Sequence, residues 1–355
     1  MDLAQILESL KIEANNYMRT VQALKAVANE LLWDDANRRL VLEGHAYFGR
    51  RLNTSSNNRI SPTNQVTPDL VVSLPHKHNV VVEAKLALSG DPDKRKAKLI
   101  DAQKYDDDLT GFDTTVTETT DHDLVLLVDL THAQDIKDHI VKLQEAEEIE
   151  FKKKFALIRF MQNVQYKTFF VLEMVFGSLT DQAKTDKLLK TVSIEMDLLV
   201  SNPRFGHVLF YDADPPLPFL MQQIHELVFN KLTREQILTL QEESQVDVTV
   251  TVRNIREDLA DSCGPGSESG ERTPDIPKSN WVNKAFQAFV RLGWAKRQKG
   301  NAYIYCVRKR RKPLEQFYIF CAKEKCKTVE EREKRRAKEI EKLPLFKHLI
   351  EHEKN

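Results

Sequence analysis

The spacing of apolar positions changes period along the chain, and each change predicts a different element. From Leu3 to Leu32, apolar residues (Leu3, Ile6, Leu7, Leu10, Tyr17, Val21, Leu24, Leu31, Leu32) recur at steps of three, four or their sums, the pattern of one long amphipathic helix or two. Residues 34–52 open with Asp34 and Asp35 as candidate caps and continue through Leu40, Leu42 and Phe48, predicting a second helix that carries Glu43. After a polar loop at 53–65 the period shortens. LVVSL at 70–74 and VVVEAKL at 80–86 flank the turn-like PHKHN, so they predict two strands paired antiparallel in a hairpin. A helix is predicted over 92–109, a buried strand over 123–130, a helix over 133–148, and strands over 155–161 and 168–176. The order predicts an α/β domain over 35–212, preceded by a helical segment at 1–34.

The proline-dense DADPPLPF at 212–219 predicts a boundary. Beyond it a second domain, 213–315, is expected to hold a helix at 232–244, a strand at 246–252 and a helix at 254–262. A loop of Gly, Pro, Ser and charge follows at 263–277. Residues 279–293 (SNWVNKAFQAFVRLG) then predict a helix with Trp281, Phe286, Phe289 and Leu292 on its apolar face. WAKRQKGNAYIYCVRKRR predicts two strands about a turn at Lys299-Gly300-Asn301. Residues 316–355 are expected to form a charged helical tail, in which 330–342 mixes signs at helical spacing. The chain has no internal repeat.

Lys plus Arg equals Asp plus Glu, 53 of each, so net charge gives no general reason to expect a polyanionic partner. Locally the balance breaks: from Lys278 to Lys312 there are eleven Lys or Arg and no Asp or Glu. No stretch approaches the roughly 18 apolar residues of a membrane span, and the N-terminus lacks the apolar run of a signal peptide, so a cytoplasmic protein with no membrane partner is expected. Cys263, Cys306, Cys321 and Cys326 are few and unevenly placed for a disulfide framework, and no second cysteine pair or nearby His completes a zinc set, so reduced thiols are expected.

The hairpin carries the candidate chemistry. With its midpoint near His76-Lys77, residues whose numbers sum to about 153 face each other, placing Asp69 beside Glu83 to Lys85. Alternation along the strand points Glu83 and Lys85 to one face and Ala84 to the other. Two carboxylates and an ammonium therefore converge. Asp69 and Glu83 supply the hard oxygen ligands that Mg²⁺ or Mn²⁺ prefers. Lys85 can orient or deprotonate a water, or neutralise developing charge. The runs around them are otherwise apolar, and ionisable residues interrupting such runs favour a site over a surface hairpin. His76 and His78 lie at the turn and are expected to be solvated, and His45 is expected to be a packing or surface residue.

Pro68-Asp69, thirteen residues, then Glu83-Ala84-Lys85 resembles the motif of the PD-(D/E)XK nuclease superfamily, which includes restriction endonucleases, junction resolvases and many defence and repair nucleases. The resemblance implies a restriction-endonuclease-like mixed sheet flanked by helices over about residues 35–180. It implies Asp69 and Glu83 as metal ligands, the Ala84 carbonyl as a further ligand and Lys85 as the catalytic lysine. An acid on the helix before the hairpin often completes such sites; Glu43 is the first candidate and Glu30 the second. Gln103 and Tyr105 resemble a Gln/Tyr motif of some members, at a different spacing. The order of elements in 213–315 resembles a winged-helix domain. It implies that Lys278, Ser279, Asn280, Asn283 and Lys284 face the major groove, and that Lys296, Arg297, Lys299, Arg308, Lys309, Arg310 and Arg311 contact phosphates. The function so implied is a Mg²⁺- or Mn²⁺-dependent DNA endonuclease of a defence or repair system, acting on duplex DNA and dimeric if it cuts both strands. The alternatives are a non-catalytic DNA-binding protein or transcription regulator on the same fold, and an RNA nuclease activated by a partner.

Overall fold

The computed structural model describes residues 2–41, 44–54, 65–74, 78–85, 91–112, 121–162, 169–263, 276–309 and 313–340. The chain divides into two compact units, one of Asn16–Asp214 and Arg256–Ser279, the other of Met1–Asn15, Pro215–Ile255 and Asn280–Asn355.

The first unit is a mixed sheet flanked by helices. Its elements are α1 (Leu3–Leu32, shared between the units), β1 (Trp33–Asp34), β2 (Arg39–Leu40), β3 (His45–Phe48), β4 (Leu52–Thr54), β5 (Gln65–Val66), β6 (Leu70–Leu74), β7 (His78–Lys85), α2 (Pro92–Ala102), β8 (Leu109–Thr110), β9 (His122–Asp129), α3 (Leu130–Glu145), β10 (Phe155–Gln162), β11 (Phe169–Gly177), α4 (Gln182–Leu188), β12 (Val192–Glu195) and α5 (Met196–Val200). The main sheet has the order β12-β11-β10-β9-β7-β6-β3. Strands β7, β9 and β10 pair in parallel, and the flanking pairs are antiparallel. Parallel strands need crossovers, which α2 and α3 supply, and their helices cover the sheet, so β9 reads HDLVLLVD with every residue buried. Val71, Val81, Leu124, Leu126 and Val128 pack with Leu99, Tyr105, Ile136 and Ile140, while Leu70, Val72, Val80 and Val82 are buried at the alternate positions.

Residues 34–52, expected to be helical, instead form the β1–β2 hairpin and strands β3 and β4. Asp34 does not cap a helix. Its carboxylate accepts from the backbone N–H groups of Ala36 (3.0 Å) and Asn37 (3.2 Å) and from the Asn37 amide (2.6 Å), which reverses the chain in an Asx turn. Gly49 then adopts φ 64°, outside the helical range. Glu43 lies outside the described residues. The helix expected over 92–109 stops at Ala102 and is followed by a single 3₁₀ turn, Gln103–Tyr105. Just beyond, the Asp106 carboxylate accepts from the backbone of Lys152 (2.7 Å) and Lys153 (2.9 Å), tying the chain to the loop before β10. Leu130, read as strand, opens α3 because Asp129 caps it through Thr131 N–H (2.9 Å).

The second unit contains α6 (Leu217–Asn230), α7 (Arg234–Glu243), β13 (Gln245–Thr251), α8 (Val252–Cys263, partly in the first unit), α9 (Ser279–Leu292), β14 (Ala295–Arg297), β15 (Ala302–Arg308) and α10 (Pro313–Ile340). Its strands form an antiparallel sheet in the order β13-β15-β14. Thr233 and Gln236 close a capping box at the start of α7. Trp281, Val282, Ala285, Phe286, Ala288 and Phe289 of α9 are buried, and an aromatic cluster of His225, Phe289, Trp294, Tyr305 and Phe317 fills the core. Helix α6 was not predicted, and α10 begins within three residues of the helical tail expected from residue 316. Cys306, Cys321 and Cys326 are free thiols. Among the described residues no helix is long and apolar enough to cross a membrane.

Gly49 N–H donates to the Asp69 carbonyl (3.0 Å), and a Cβ at Gly49 would stand 2.1 Å from Ile276 Cδ1 and 3.2 Å from the Asp212 nitrogen. With φ positive as well, Gly49→Ala is expected to destabilise the protein by about 1–3 kcal/mol. Urea denaturation checks this; an unchanged midpoint contradicts it.

Candidate active site

The hairpin register pairs Leu70 with Val82 and Val71 with Val81, so Asp69 falls opposite Glu83, within one residue of the expected register. Ala84 N–H donates to Asp69 Oδ2 (2.8 Å), fixing the carboxylate at the mouth of the hairpin. Glu83 and Lys85 share a face of β7, and Lys85 Nζ donates to Glu83 Oε1 at 2.5 Å. Next door, β9 runs parallel with Glu83 beside Leu126 and Lys85 beside Val128. The sequence-predicted convergence of Asp69, Glu83 and Lys85 is therefore present.

Its electrostatics follow from burial. Asp69 and Glu83 are 8% and 5% exposed. Desolvation and the Glu83 charge push the Asp69 carboxyl well above the usual carboxylate range, and its hydrogen bond from Ala84 and the Lys85 charge offset this only in part. Burial works against the Lys85 ammonium, but the Glu83 and then Asp69 carboxylates outweigh it and hold its pKa above the ordinary lysine value. Glu83 Oε2 is buried and meets no donor in good hydrogen-bond geometry among the described residues, although the Tyr105 hydroxyl lies close enough to Glu83 to interact with it. Such an orphaned anionic oxygen is costly unless something cationic meets it.

Tyrosines wall the site. Tyr105 is fully buried and its hydroxyl donates to the Thr67 carbonyl (2.9 Å); burial, then the Glu83 and Asp69 charges, push that hydroxyl far above its ordinary pKa. Tyr17 of α1 and Tyr211 lie ring against ring at 5.0 Å, and the Asp69 charge contributes to the raised pKa of each. After Tyr211, Asp212 adds negative charge toward Asp69. Tyr17, Tyr211 and Asp212 were not singled out from the sequence. The first sits at an ordinary apolar helix position, and the others precede prolines that read as a linker.

Asp69, Glu83 and the Ala84 backbone carbonyl are hard oxygen donors of the kind that suits Mg²⁺ or Mn²⁺, and the orphaned Glu83 Oε2 fits a cation. Among the described residues no group of three Asp, Glu, His or Cys side chains is close enough to hold an ion. Glu30, the second candidate for the helix acid, is on α1 but is held by Lys187 (2.9 Å) and Lys184 (4.0 Å). Gln103 donates to the Glu150 carbonyl (3.0 Å) and takes no part in the carboxylate contacts. His78 is half-buried rather than solvated: its Nε2 stands 3.1 Å from Asp123 Oδ2, and this contact raises its pKa. His76 lies outside the described residues. His45 is half-buried in β3, its ring 6.0 Å from that of Tyr47.

The basic segment divides. Lys278 is bound to Asp212, with its Nζ 2.9 Å from Oδ1 and 3.0 Å from the carbonyl oxygen. Ser279, Asn280 and Lys284 on α9 are exposed and Asn283 half-buried, opposite the buried apolar face. Lys296, Arg297, Lys299 and Lys309 are exposed. Arg308 donates to the Gly293 carbonyl (2.7 Å) and lies over the Trp294 ring, which gives it a packing role. Arg310 and Arg311 fall outside the described residues.

No family model, curated protein or solved structure matches the chain. The geometry alone carries the reading.

The raised Asp69 pKa has a signed consequence. A carboxyl whose folded pKa exceeds its unfolded value favours folding in its acid form, and that contribution is lost as pH rises from the unfolded pKa through the folded one. Asp69→Asn removes the cost and keeps an acceptor for Ala84 N–H. In EDTA at pH 7.5 the variant is expected to melt about 2–4 °C above wild type, with the gap closing toward pH 4. A lower Tm for the variant at pH 7.5 contradicts this.

Proposed function

We propose that the chain is a metal-dependent nuclease of the PD-(D/E)XK kind, cutting phosphodiester bonds in duplex DNA with Mg²⁺ or Mn²⁺. The observation that carries the reading is the convergence of Asp69, Glu83 and Lys85 at the mouth of the β6–β7 hairpin, with Glu83 Oε2 buried and, among the described residues, without a donor in good hydrogen-bond geometry. The element order also supports it. The antiparallel β6–β7 hairpin, the crossover helix α2 and the parallel strand β9 come in the order that the restriction-endonuclease-like fold implies, with β8 between α2 and β9 and with strands rather than the expected helix just before the hairpin.

In this reading Asp69, Glu83 and the Ala84 carbonyl hold the divalent cation. When bound, the cation supplies Lewis-acid stabilisation of the charge that grows on the phosphate oxygens. Lys85, already an ammonium paired with a carboxylate, acts as a fixed cation beside the scissile group. A water oxygen bonds to phosphorus, the bond from phosphorus to the leaving sugar oxygen breaks, the water proton passes to solvent, and solvent protonates the leaving oxygen. Burial on both faces of the sheet keeps these charges poorly screened, so each acts more strongly than it would in water.

The second unit supports a nucleic-acid substrate. The order α7, β13, α8, α9, β14, β15 with sheet order β13-β15-β14 resembles that of a winged-helix module, in which α9 would be the recognition helix and the β14–β15 hairpin the wing. Ser279, Asn280, Asn283 and Lys284 open α9, and Lys296, Arg297, Lys299 and Lys309 lie on or beside the wing. A cut through both strands calls for two such sites, which a homodimer would provide.

Supercoiled plasmid is expected to be nicked or linearised with Mg²⁺ or Mn²⁺ and not with EDTA. Lys85→Ala and Asp69→Ala are each expected to slow cleavage by about 100-fold or more while leaving salt-dependent DNA binding intact. Wild-type protein that binds DNA and cuts neither DNA nor RNA with either metal would move the assignment to a non-catalytic binder.

A further inference from the structure

Resting on the nuclease reading, we propose that Asp212 is a further acidic residue of this site, held back by Lys278. A backbone phosphate that takes up the Lys278 ammonium then frees the Asp212 carboxylate to turn toward the cation beside Asp69 and Glu83.

The placement of Asp212 comes from backbone geometry. Gly49 is wedged between the two segments: its N–H donates to the Asp69 carbonyl (3.0 Å), and a Cβ built on it would lie 3.2 Å from the Asp212 nitrogen and 3.5 Å from the Asp212 Cα. Asp212 is thus one residue's thickness from the strand end that carries Asp69. Tyr211, its neighbour in sequence, is anchored on Tyr17. The anchor fixes where the Asp212 side chain starts and leaves its direction to local partners.

Lys278 is the partner that sets the direction. Its ammonium meets both the Asp212 carboxylate (2.9 Å) and the Asp212 carbonyl (3.0 Å), so a single lysine neutralises and orients the residue. In this position Asp212 does not complete a three-group ion site with Asp69 and Glu83, since no such group exists among the described residues. A cation has room to meet this pair, because among the described residues the buried Glu83 Oε2 beside Asp69 has no donor in good hydrogen-bond geometry. Both members of the Lys278–Asp212 pair are about one-third exposed, at 34% and 30%. A partly exposed pair of this kind is screened by water, so a phosphate can compete for the lysine. Lys278 immediately precedes α9, the helix the proposed function places on DNA. A phosphate held at Lys278 would thereby tie cation affinity to the presence of substrate.

The test is Mn²⁺ binding to the full chain, followed by electron paramagnetic resonance of the free ion, without reference to cleavage. Lys278→Gln is expected to tighten Mn²⁺ by about fivefold or more without DNA, the low end of typical coupling between sites. Lys278→Arg, which keeps the cation, should bind as wild type, and Lys278→Gln with Asp212→Asn should bind no tighter than Asp212→Asn alone. An uncut phosphorothioate duplex should tighten Mn²⁺ for wild type and add nothing for Lys278→Gln. If Asp69→Asn abolishes Mn²⁺ binding while Lys278→Gln and Asp212→Asn change nothing, the nuclease reading stands and this inference is overturned. Equal tightening by the duplex in wild type and Lys278→Gln also overturns it. Mn²⁺ binding that is absent from wild type, or indifferent to Asp69→Asn, removes both.

Discussion

Two carboxylates, Asp69 and Glu83, are buried side by side at the end of a hairpin whose other residues are apolar, and most of what surrounds them follows from that placement. Coulomb repulsion between close carboxylates grows as water is removed, and the sheet here is covered on both faces. The protein answers with one ammonium from Lys85 to Glu83 and one backbone N–H from Ala84 to Asp69, and among the described residues Glu83 Oε2 is left without a donor in good hydrogen-bond geometry. An arrangement that destabilises the empty fold has a physical reason to persist only if something positively charged relieves it. A divalent cation is the simplest relief that hard oxygen donors admit.

The rest of the first unit can be understood as a frame that keeps this strained corner in register. The parallel neighbour β9 runs along the Glu83–Lys85 end of β7 and is buried along its whole length, so β7 cannot slide without exposing apolar side chains. Tyr105 closes one side, with its hydroxyl tied to the Thr67 carbonyl just before Pro68 and Asp69. Tyr17 and Tyr211 close another. The net charge of zero hides a strong segregation: eleven cations without an acid between residues 278 and 312 are offset by acids elsewhere. Much of that run is exposed on α9 and the β14–β15 hairpin, where a phosphate backbone can meet it.

The legible parts of the sequence were those where local pattern and tertiary environment agree. The β6–β7 hairpin, β9 and α9 carry uninterrupted runs or clean amphipathic spacing, and each formed as expected. Residues 34–52 misled because Asp34 offers its oxygens equally well to a helix N-terminus or to an Asx turn, and what decides is whether the following residues pair as strands. The apolar spacing of Leu40, Leu42 and Phe48 fits either outcome. The long-range neighbours of the site were out of reach for a different reason. Tyr17, Tyr211 and Asp212 lie far from Asp69 in sequence, and nothing local to DADPPLPF reveals that the charge of its first residue reaches a buried carboxylate.

If a divalent cation relieves the buried carboxylate pair, thermal unfolding across a Mn²⁺ titration will register it. A ligand that binds the folded state raises stability in proportion to the logarithm of its concentration above Kd. The account predicts a Tm that climbs with Mn²⁺ in the wild type and stays flat in Glu83→Gln. A wild-type Tm indifferent to Mn²⁺, or an equal climb in Glu83→Gln, would contradict it.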